Sequence, residues 1–224
     1  MAVSLARESA LWDAGAHVVA GIDEVGRGAL AGPVSVGAVA LTRCDAWPDG
    51  LADSKQLTPA RRHTMADALV TFGAGRAVGH ASADEIDAHG IVAALRIACM
   101  RALAQIADAG VSVDVVLLDG KHDYLTAPAD DLWAASSPPA EVAPPPVTMV
   151  IGGDNLCASI AAGSVLAKVE RDAMMVAAHA DHPAYGWDGN KGYGAAAHLD
   201  ALRTLGPTPL HRRSWKLPEN ATRT

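Results

Sequence analysis

Aromatic residues are scarce in this chain: one Phe, three Tyr and five Trp make up 4% of 224 residues, although half of the sequence is apolar. A core must therefore be built from Ala, Val, Leu and Ile, which requires closely packed regular elements and favours an α/β or helical class. The length suits one ordinary domain, or one domain with a small appendage. Cysteine is sparse too. Cys44, Cys99 and Cys157 are widely separated and lack the paired short spacings of a zinc site or a secreted disulfide framework, so they read as reduced core thiols. No apolar run approaches the roughly 20 residues of a membrane span. The start of the chain lacks the charged-then-apolar pattern of a signal peptide. A soluble, cytoplasmic protein without a membrane is expected, and the Asn220-Ala221-Thr222 sequon then carries no meaning.

Positive charge is also short. Lys and Arg number 18 against 25 Asp and Glu, a formal net charge of −7, which argues against a protein that holds nucleic acid by overall electrostatics. The deficit is uneven: from Arg203 to Thr224, five basic residues (Arg203, Arg212, Arg213, Lys216, Arg223) face Glu219 alone. Such a run is either a solvated basic tail or a local contact for phosphates.

What is present alternates between strand and helix signals. Val18 to Asp23 and Val34 to Leu41 read as strands joined by a Gly-rich link, a hairpin. Thr58 followed by Pro59 predicts an N-cap and first turn of a helix running to about Val70. Ser82 and Glu85 form a capping box for a short helix that Gly90 interrupts. Ile91, Leu95, Ala98, Ala102 and Ile106 then continue at helical spacing towards Gly110. Val113 to Asp119 fits a strand covered on both faces, Val147 to Ile151 another, Cys157 to Ala180 a long helix and Ala195 to Leu205 a final one. Residues 126 to 147 hold six of the thirteen prolines and read as an irregular surface insertion. The order implies a mixed sheet with helices on its faces and a helical C-terminal extension.

Three placements of acid are anomalous. Asp23-Glu24 ends an apolar strand, where an uncompensated carboxylate is expensive unless it lies at an exposed end or meets a cation. Asp119 completes a strand expected near the middle of the sheet, where strand ends line ligand crevices, although Asp119-Gly120 is equally a turn signal. Asp172 shares a helical stripe with Val165, Val169 and Val176, and either joins the other acids or pairs with Lys168 four residues earlier. Together the four carboxylates could form an oxygen-rich pocket for hard divalent ions such as Mg²⁺ or Mn²⁺, suited to phosphoryl transfer.

Six ordered motifs now make the chain recognisable over nearly its whole length. They are Gly21-Ile-Asp-Glu-Val-Gly-Arg-Gly-Ala-Leu-Ala-Gly-Pro33, Asp53-Ser54-Lys55, Leu118-Asp119-Gly120, Ser159-Ile-Ala-Ala-Gly-Ser-Val-Leu-Ala-Lys-Val-Glu-Arg-Asp172, Asn190-Lys-Gly-Tyr-Gly194 and His211-Arg-Arg-Ser-Trp215. In these the chain resembles ribonuclease HII. The resemblance implies an α/β fold, a ribonuclease-H-like mixed sheet flanked by helices. It also implies a catalytic part over 1–185 and a small helical, basic, substrate-binding extension over 186–224. It implies that Asp23, Glu24, Asp119 and Asp172 hold two Mg²⁺ or Mn²⁺ ions. Gly26, Arg27 and Gly28 would read a ribose 2′-hydroxyl through backbone groups, with Tyr193 packed on the neighbouring deoxyribose. Ser54, Lys55 and Lys168 would contact phosphates, with Lys168 alternatively orienting an acid, while His211, Arg212 and Arg213 would touch the duplex backbone.

The activity so implied is endonucleolytic cleavage of the RNA-containing strand of RNA/DNA hybrids, and cleavage 5′ of single ribonucleotides in duplex DNA, in support of their removal. The partners implied are those duplexes, with a monomer as default and room for a further protein partner. The chain departs from the family pattern at Gly152-Gly153-Asp154, where Lys-Gly-Asp is usual, at Gly163 in place of Ala, and at Ala195 in place of Thr. Two rivals stand beside this reading: a broad nuclease for long hybrids, and a catalytically silent hybrid-binding module. His179 and His182, near a helix end without a third ligand, read as surface residues, and the five scattered Trp as packing.

Overall fold

The computed structural model describes residues 3–126 and 143–219; most of the proline-rich stretch, with Trp133, and the Asn220 sequon and Arg223 lie outside the described residues. Helix α1 (Ala6–Asp13) precedes strands β1 (Val18–Val25) and β2 (Val34–Thr42), followed by α2 (Pro59–Leu69), β3 (Gly75–Ala81) and α3 (Ala83–Asp108). Next come β4 (Val115–Asp119), β5 (Val147–Val150), the long α4 (Ala158–Asp181), the single turn α5 (Trp187–Asn190) and α6 (Ala196–Leu205). The strands form one mixed sheet in the order β3-β2-β1-β4-β5. β1, β2 and β3 are antiparallel neighbours, whereas β4 runs parallel to β1 and β5 parallel to β4.

Local chemistry sets the ends of these elements. Thr58 Oγ1 accepts from the Arg61 amide with Pro59 in the first turn of α2. Ser82 and Glu85 bond reciprocally at the start of α3, and Gly90, at φ +79°, breaks that helix where its short first part meets the long second part. Neither α1 nor β3 is announced by residue pattern. The latter reads Gly-Arg-Ala-Val-Gly-His-Ala, too short of β-branched and large apolar residues to declare itself, and it exists because β2 offers it a ladder.

Strand alternation sends Ala20, Ile22, Val36, Ala38, Val116 and Leu118 to one face, where they pack with Leu95, Ala98 and Ile106 of α3. Val19, Val39, Leu41 and Leu117 go to the other face, against Trp12 of α1, Leu69 of α2 and Ile160 and Val165 of α4. By length and composition alone, α3 is apolar enough to cross a membrane. Its apolar face is covered by the sheet, which is the burial of a core helix.

On the opposite face, α4 lies unusually close to the strands. A Cβ on Gly21 would fall 2.3 Å from the Ile160 nitrogen, and one on Gly37 would fall 2.0 Å from the Gly163 oxygen. A Cβ on Gly163 would in turn meet the Gly37 oxygen at 2.7 Å. Gly163 is thus required by this approach. Beyond the sheet, a small separate core of Ala31, Met175, Tyr185, Trp187 and Leu202 ties the C-terminal elements to the end of α4 and to the β1–β2 link. The three cysteines form no disulfide. Burial pushes the Cys157 thiol up to about 12 and raises Cys99 further, as inert core thiols require.

Candidate active site

Asp23 and Asp119 meet because of strand parity and register. Asp23 follows Gly21 on the α4 face of β1, and Asp119 follows Leu117 on the α4 face of β4. Ile22 paired to Leu118 is the last rung of the parallel ladder, so the next residues, Asp23 two positions before the end of β1 and Asp119 at the end of β4, stand side by side. A third carboxylate joins them from a 3₁₀ turn, Gly153–Asn155, that leads into α4: one oxygen from each of Asp23, Asp119 and Asp154 lies within 4.8 Å of the others. The Gly153 amide donates to Asp119 Oδ1 at 2.6 Å, so the turn that carries Asp154 is fastened to the strand end.

The environment opposes ionisation. Burial pushes Asp23 up to about 8, helped by the charges of Glu24 and Asp119, while the Ser164 hydroxyl and Lys55 act against it. Burial likewise raises Asp119, with Asp154 adding repulsion. The cation nearest the group is Lys55, whose Nζ lies 3.1 Å from Asp154 Oδ2 and 3.9 Å from Asp53 Oδ1. Its side chain is 72% exposed, too solvated to neutralise the buried acids. Hard carboxylate oxygens that converge, with burial raising Asp23 and Asp119 above the ordinary carboxylate range, are a donor set that fits Mg²⁺ or Mn²⁺.

The other two expected ligands stand apart from this group. Successive strand residues point to opposite faces, so Glu24 leaves on the side away from Asp23. There its Oε1 accepts from Arg27 Nη1 at 3.2 Å. It remains near enough for Asp119 to help burial raise its carboxyl, against the Arg27 guanidinium. Asp172 comes eight residues after Ser164, about 12 Å further along α4, and its Oδ1 accepts from Lys168 Nζ at 2.8 Å. This is the i,i+4 pair that the sequence left open. Asp172 and Lys168 line an open cleft of about 650 Å³ together with Arg62, His63 and Lys191.

Several expected phosphate contacts are turned inward. Ser54 is buried, with its Oγ 2.9 Å from Ser164 Oγ, so it supports the serine beside Asp23 and is closed to a phosphate. His211 is fully buried, its Nε2 3.0 Å from His198 Nε2. Arg212 is fully buried as well and donates to the carbonyls of Gly26, Arg27, Gly32 and Pro33. The local reason is that the basic segment returns to the β1–β2 link and completes its hydrogen bonding. Arg213 remains exposed, its amide held by Asp87. Arg27 and Gly28 are exposed at the head of the link, above the carbonyls that Arg212 holds, whereas Gly26 is buried at φ +82°. Tyr193 is half-buried, with Lys168 Nζ 5.9 Å and Arg171 Cζ 5.4 Å from its ring centre.

Asp154 and Arg171 escaped the sequence reading. Asp154 followed a Gly-Gly pair just before a helix, and that signal was read only as the loss of a lysine. Among the described residues, Ser35, His80 and Glu170 also form a hydroxyl–imidazole–carboxylate chain, at 2.7 and 2.8 Å. Ser35 is fully buried within β2, so the chain ties β2, β3 and α4 together and offers no nucleophile. His179 sits 3.4 Å from Asp188, and His182 packs edge-on to Trp187.

The site can be set beside known proteins. The family profile described as ribonuclease HII matches residues 20–218. The ribonuclease HII of Streptomyces avermitilis is 48% identical over 201 residues, which cover 90% of this chain and 78% of that protein. The ribonuclease H2 of Pyrococcus horikoshii superposes with a TM-score of 0.64 at 22% identity over 89% of this chain and 94% of the other. The RNase HII of Archaeoglobus fulgidus, solved in complex with PCNA, does so with a TM-score of 0.65 at 22% identity over 92% and 98%. Those two likenesses establish the ribonuclease-H-like fold. The profile and the sequence identity establish more: the chain belongs to the ribonuclease HII family of ribonucleases H, which cleave RNA in RNA/DNA hybrids.

Proposed function

We propose that this chain cuts the phosphodiester on the 5′ side of a ribonucleotide embedded in duplex DNA, as well as RNA in longer hybrids, leaving a 3′-hydroxyl and a 5′-phosphate. The observation that carries the proposal is the convergence of Asp23 and Asp119 from adjoining strands with Asp154 from the 3₁₀ turn before α4, a few residues along the chain from the exposed Arg27-Gly28 segment. Asp23 and Asp119 would hold Mg²⁺ or Mn²⁺, with Glu24 and Asp172 as further ligands and Asp154 as an added carboxylate. Bound ions would supply activation of water and stabilisation of the leaving oxygen.

The chain's own residues do the rest. Gly26, Arg27 and Gly28 bring backbone against the ribose, where the 2′-hydroxyl separates RNA from DNA. Tyr193 offers a ring face to the adjacent deoxyribose. Lys55 and Lys168 hold acids in place, and Lys168, Arg62 and Lys191 give the cleft beside Asp172 a positive lining for phosphates. Arg213 meets the duplex backbone from the C-terminal portion, which from residue 186 onward forms the substrate-facing part. The biological setting is ribonucleotide removal from DNA by a cytoplasmic monomer, with a protein partner on the pattern of the Archaeoglobus complex.

The test is cleavage of an end-labelled DNA duplex carrying one ribonucleotide, in Mg²⁺, Mn²⁺ or chelator. Cleavage that needs the metal and lies immediately 5′ of the ribonucleotide is expected. Asp119→Asn and Asp172→Asn should each lose activity, by roughly 10²-fold or more for Asp119→Asn. Full activity in both would overturn the metal site.

A further inference from the structure

Arg171 is a buried cation to which the reaction as described gives no part. It is fully buried, on α4 immediately before Asp172, and among the described residues it forms no salt bridge with a carboxylate. All three of its hydrogen bonds go to backbone carbonyls: Nε to Pro33 at 2.8 Å, Nη1 to Lys191 at 3.0 Å and Nη2 to Ala31 at 3.2 Å. Two of those carbonyls belong to the β1–β2 link, which carries Gly26, Arg27 and Gly28. The third belongs to the turn that carries Tyr193. The guanidinium also lies 5.4 Å from the centre of the Tyr193 ring, and a Cβ on Gly26 would fall 2.0 Å from its Nε. One planar side chain is therefore wedged between the backbone proposed to read the ribose and the ring proposed to read the next sugar.

The two segments are otherwise joined near the same point. The Leu30 and Ala31 amides donate to the Gly192 carbonyl at 2.8 and 3.2 Å, and a Cβ on Gly192 would strike the Ala31 oxygen at 2.4 Å. Lys191, which presents its carbonyl to Arg171, has φ +52°, the one non-glycine residue at positive φ among the described residues. A side chain rarely adopts that conformation unless its surroundings hold it there. Asn190 holds the turn from its other side, with Oδ1 accepting from the Gly192 amide at 2.8 Å and Nδ2 donating to the Tyr185 carbonyl at 2.7 Å.

We infer that Arg171 is a specificity-determining positioning residue, setting the distance between the Gly26-Arg27-Gly28 backbone and the Tyr193 ring to one sugar step, so that a ribose followed by a deoxyribose is preferred to two riboses. The inference rests on the junction-reading function proposed above. A guanidinium suits this task because its rigid fork reaches several acceptors in fixed directions while its face packs on a ring. An ammonium is a point charge on a flexible stem. The charge itself is not the purpose, since among the described residues no carboxylate pairs with it and its partners are carbonyls and the Tyr193 ring. Lysine at this position keeps the charge and loses the ruler.

Arg171→Lys separates these roles when kcat/KM is measured on a duplex with one ribonucleotide and on a uniform RNA/DNA hybrid, alongside Tm. The ratio of the two values is expected to fall about tenfold or more, within the roughly 10²-fold that misplacing a reacting group by an ångström can cost, with the single-ribonucleotide substrate carrying the loss. A merely structural arginine would lower both substrates by the same factor, and that result overturns the inference. Should Arg171→Lys fail to fold, Asn190→Ser loosens the same turn from its half-buried side and must produce the same selective loss; an equal fall on both substrates again overturns it. Wild-type protein that cuts the uniform hybrid but shows no preference for the junction refutes the junction reading, and the inference falls with it. A junction-selective wild type with an unselective loss in the variants leaves the reading standing and removes the inference alone.

Discussion

The two faces of the one sheet are built to opposite ends. Under α3 the strands present Ala20, Ile22, Val36, Ala38, Val116 and Leu118 to a dry apolar layer. Under α4 the same strands carry Gly21, Gly37, Asp23 and Asp119, with Ser164 and Ser54 beside them. The first face carries one candidate site residue, Glu24, near the end of β1, and burial of apolar area stabilises the rest of it. The second sacrifices side-chain volume so that a helix can lie almost on the backbone, and it holds desolvated carboxyls at its far edge. Stability and chemistry are thereby separated within a single layer of strands, by the period-two alternation of a strand.

That separation can be broken at three points. The largest effect is expected from Asp23→Asn, which should lower cleavage by roughly 10³-fold while leaving the metal-free fold intact or more stable. The sign follows from the raised carboxyl. With its pKa at about 8 in the fold against an ordinary value of 3.8, Asp23 contributes stability that is fully present below about pH 3.8 and lost as pH rises through about 8. In chelator, the Tm of Asp23→Asn should therefore gain on wild type progressively from pH 5 to about pH 8 and level off above it. A difference that stays constant over that range would show that burial does not govern this acid.

On the opposite face, Leu95→Ala should cost about 2–5 kcal/mol by opening a cavity beneath α3, since Leu95 is fully buried. Denaturant unfolding should show the loss, and the metal concentration for half-maximal activity should stay put. A changed metal requirement would mean that the two faces are coupled. The smallest effect is expected for Gly163→Ala. Alanine favours a helix by about 1 kcal/mol over glycine, yet its Cβ would lie 2.7 Å from the Gly37 oxygen. A net destabilisation of about 1–2 kcal/mol should result from the overpacking. Urea melts that show no loss would mean that α4 can lift away without penalty.

Much of the architecture was legible before any coordinates, because its signals are local. Thr58-Pro59, the Ser82–Glu85 box and the Gly90 break each act within a few residues, and each stands where the sequence places it. Helix α1 and strand β3 were not legible: α1 is a short helix, and the small residues of β3 adopt a strand only beside β2. Among the site residues, Asp23 and Asp119 were readable as costly acids at strand ends. Asp154 was not, since its place depends on a turn that packs back on Asp119. Arg212, which the charge count places in a basic tail, is turned inward instead, because charge counted along a chain says nothing of the carbonyls waiting inside it, and His211, expected on the duplex from the resemblance, is buried beside His198.

By itself the sequence determined the family, the order of most elements and the positions of the expensive carboxylates, all of which depend on neighbours along the chain and on ordered motifs. Only the tertiary structure decided which acids converge and which cations turn inward. Those outcomes rest on strand parity, on the close seat of α4 and on backbone groups far away in sequence that must find partners once water is excluded.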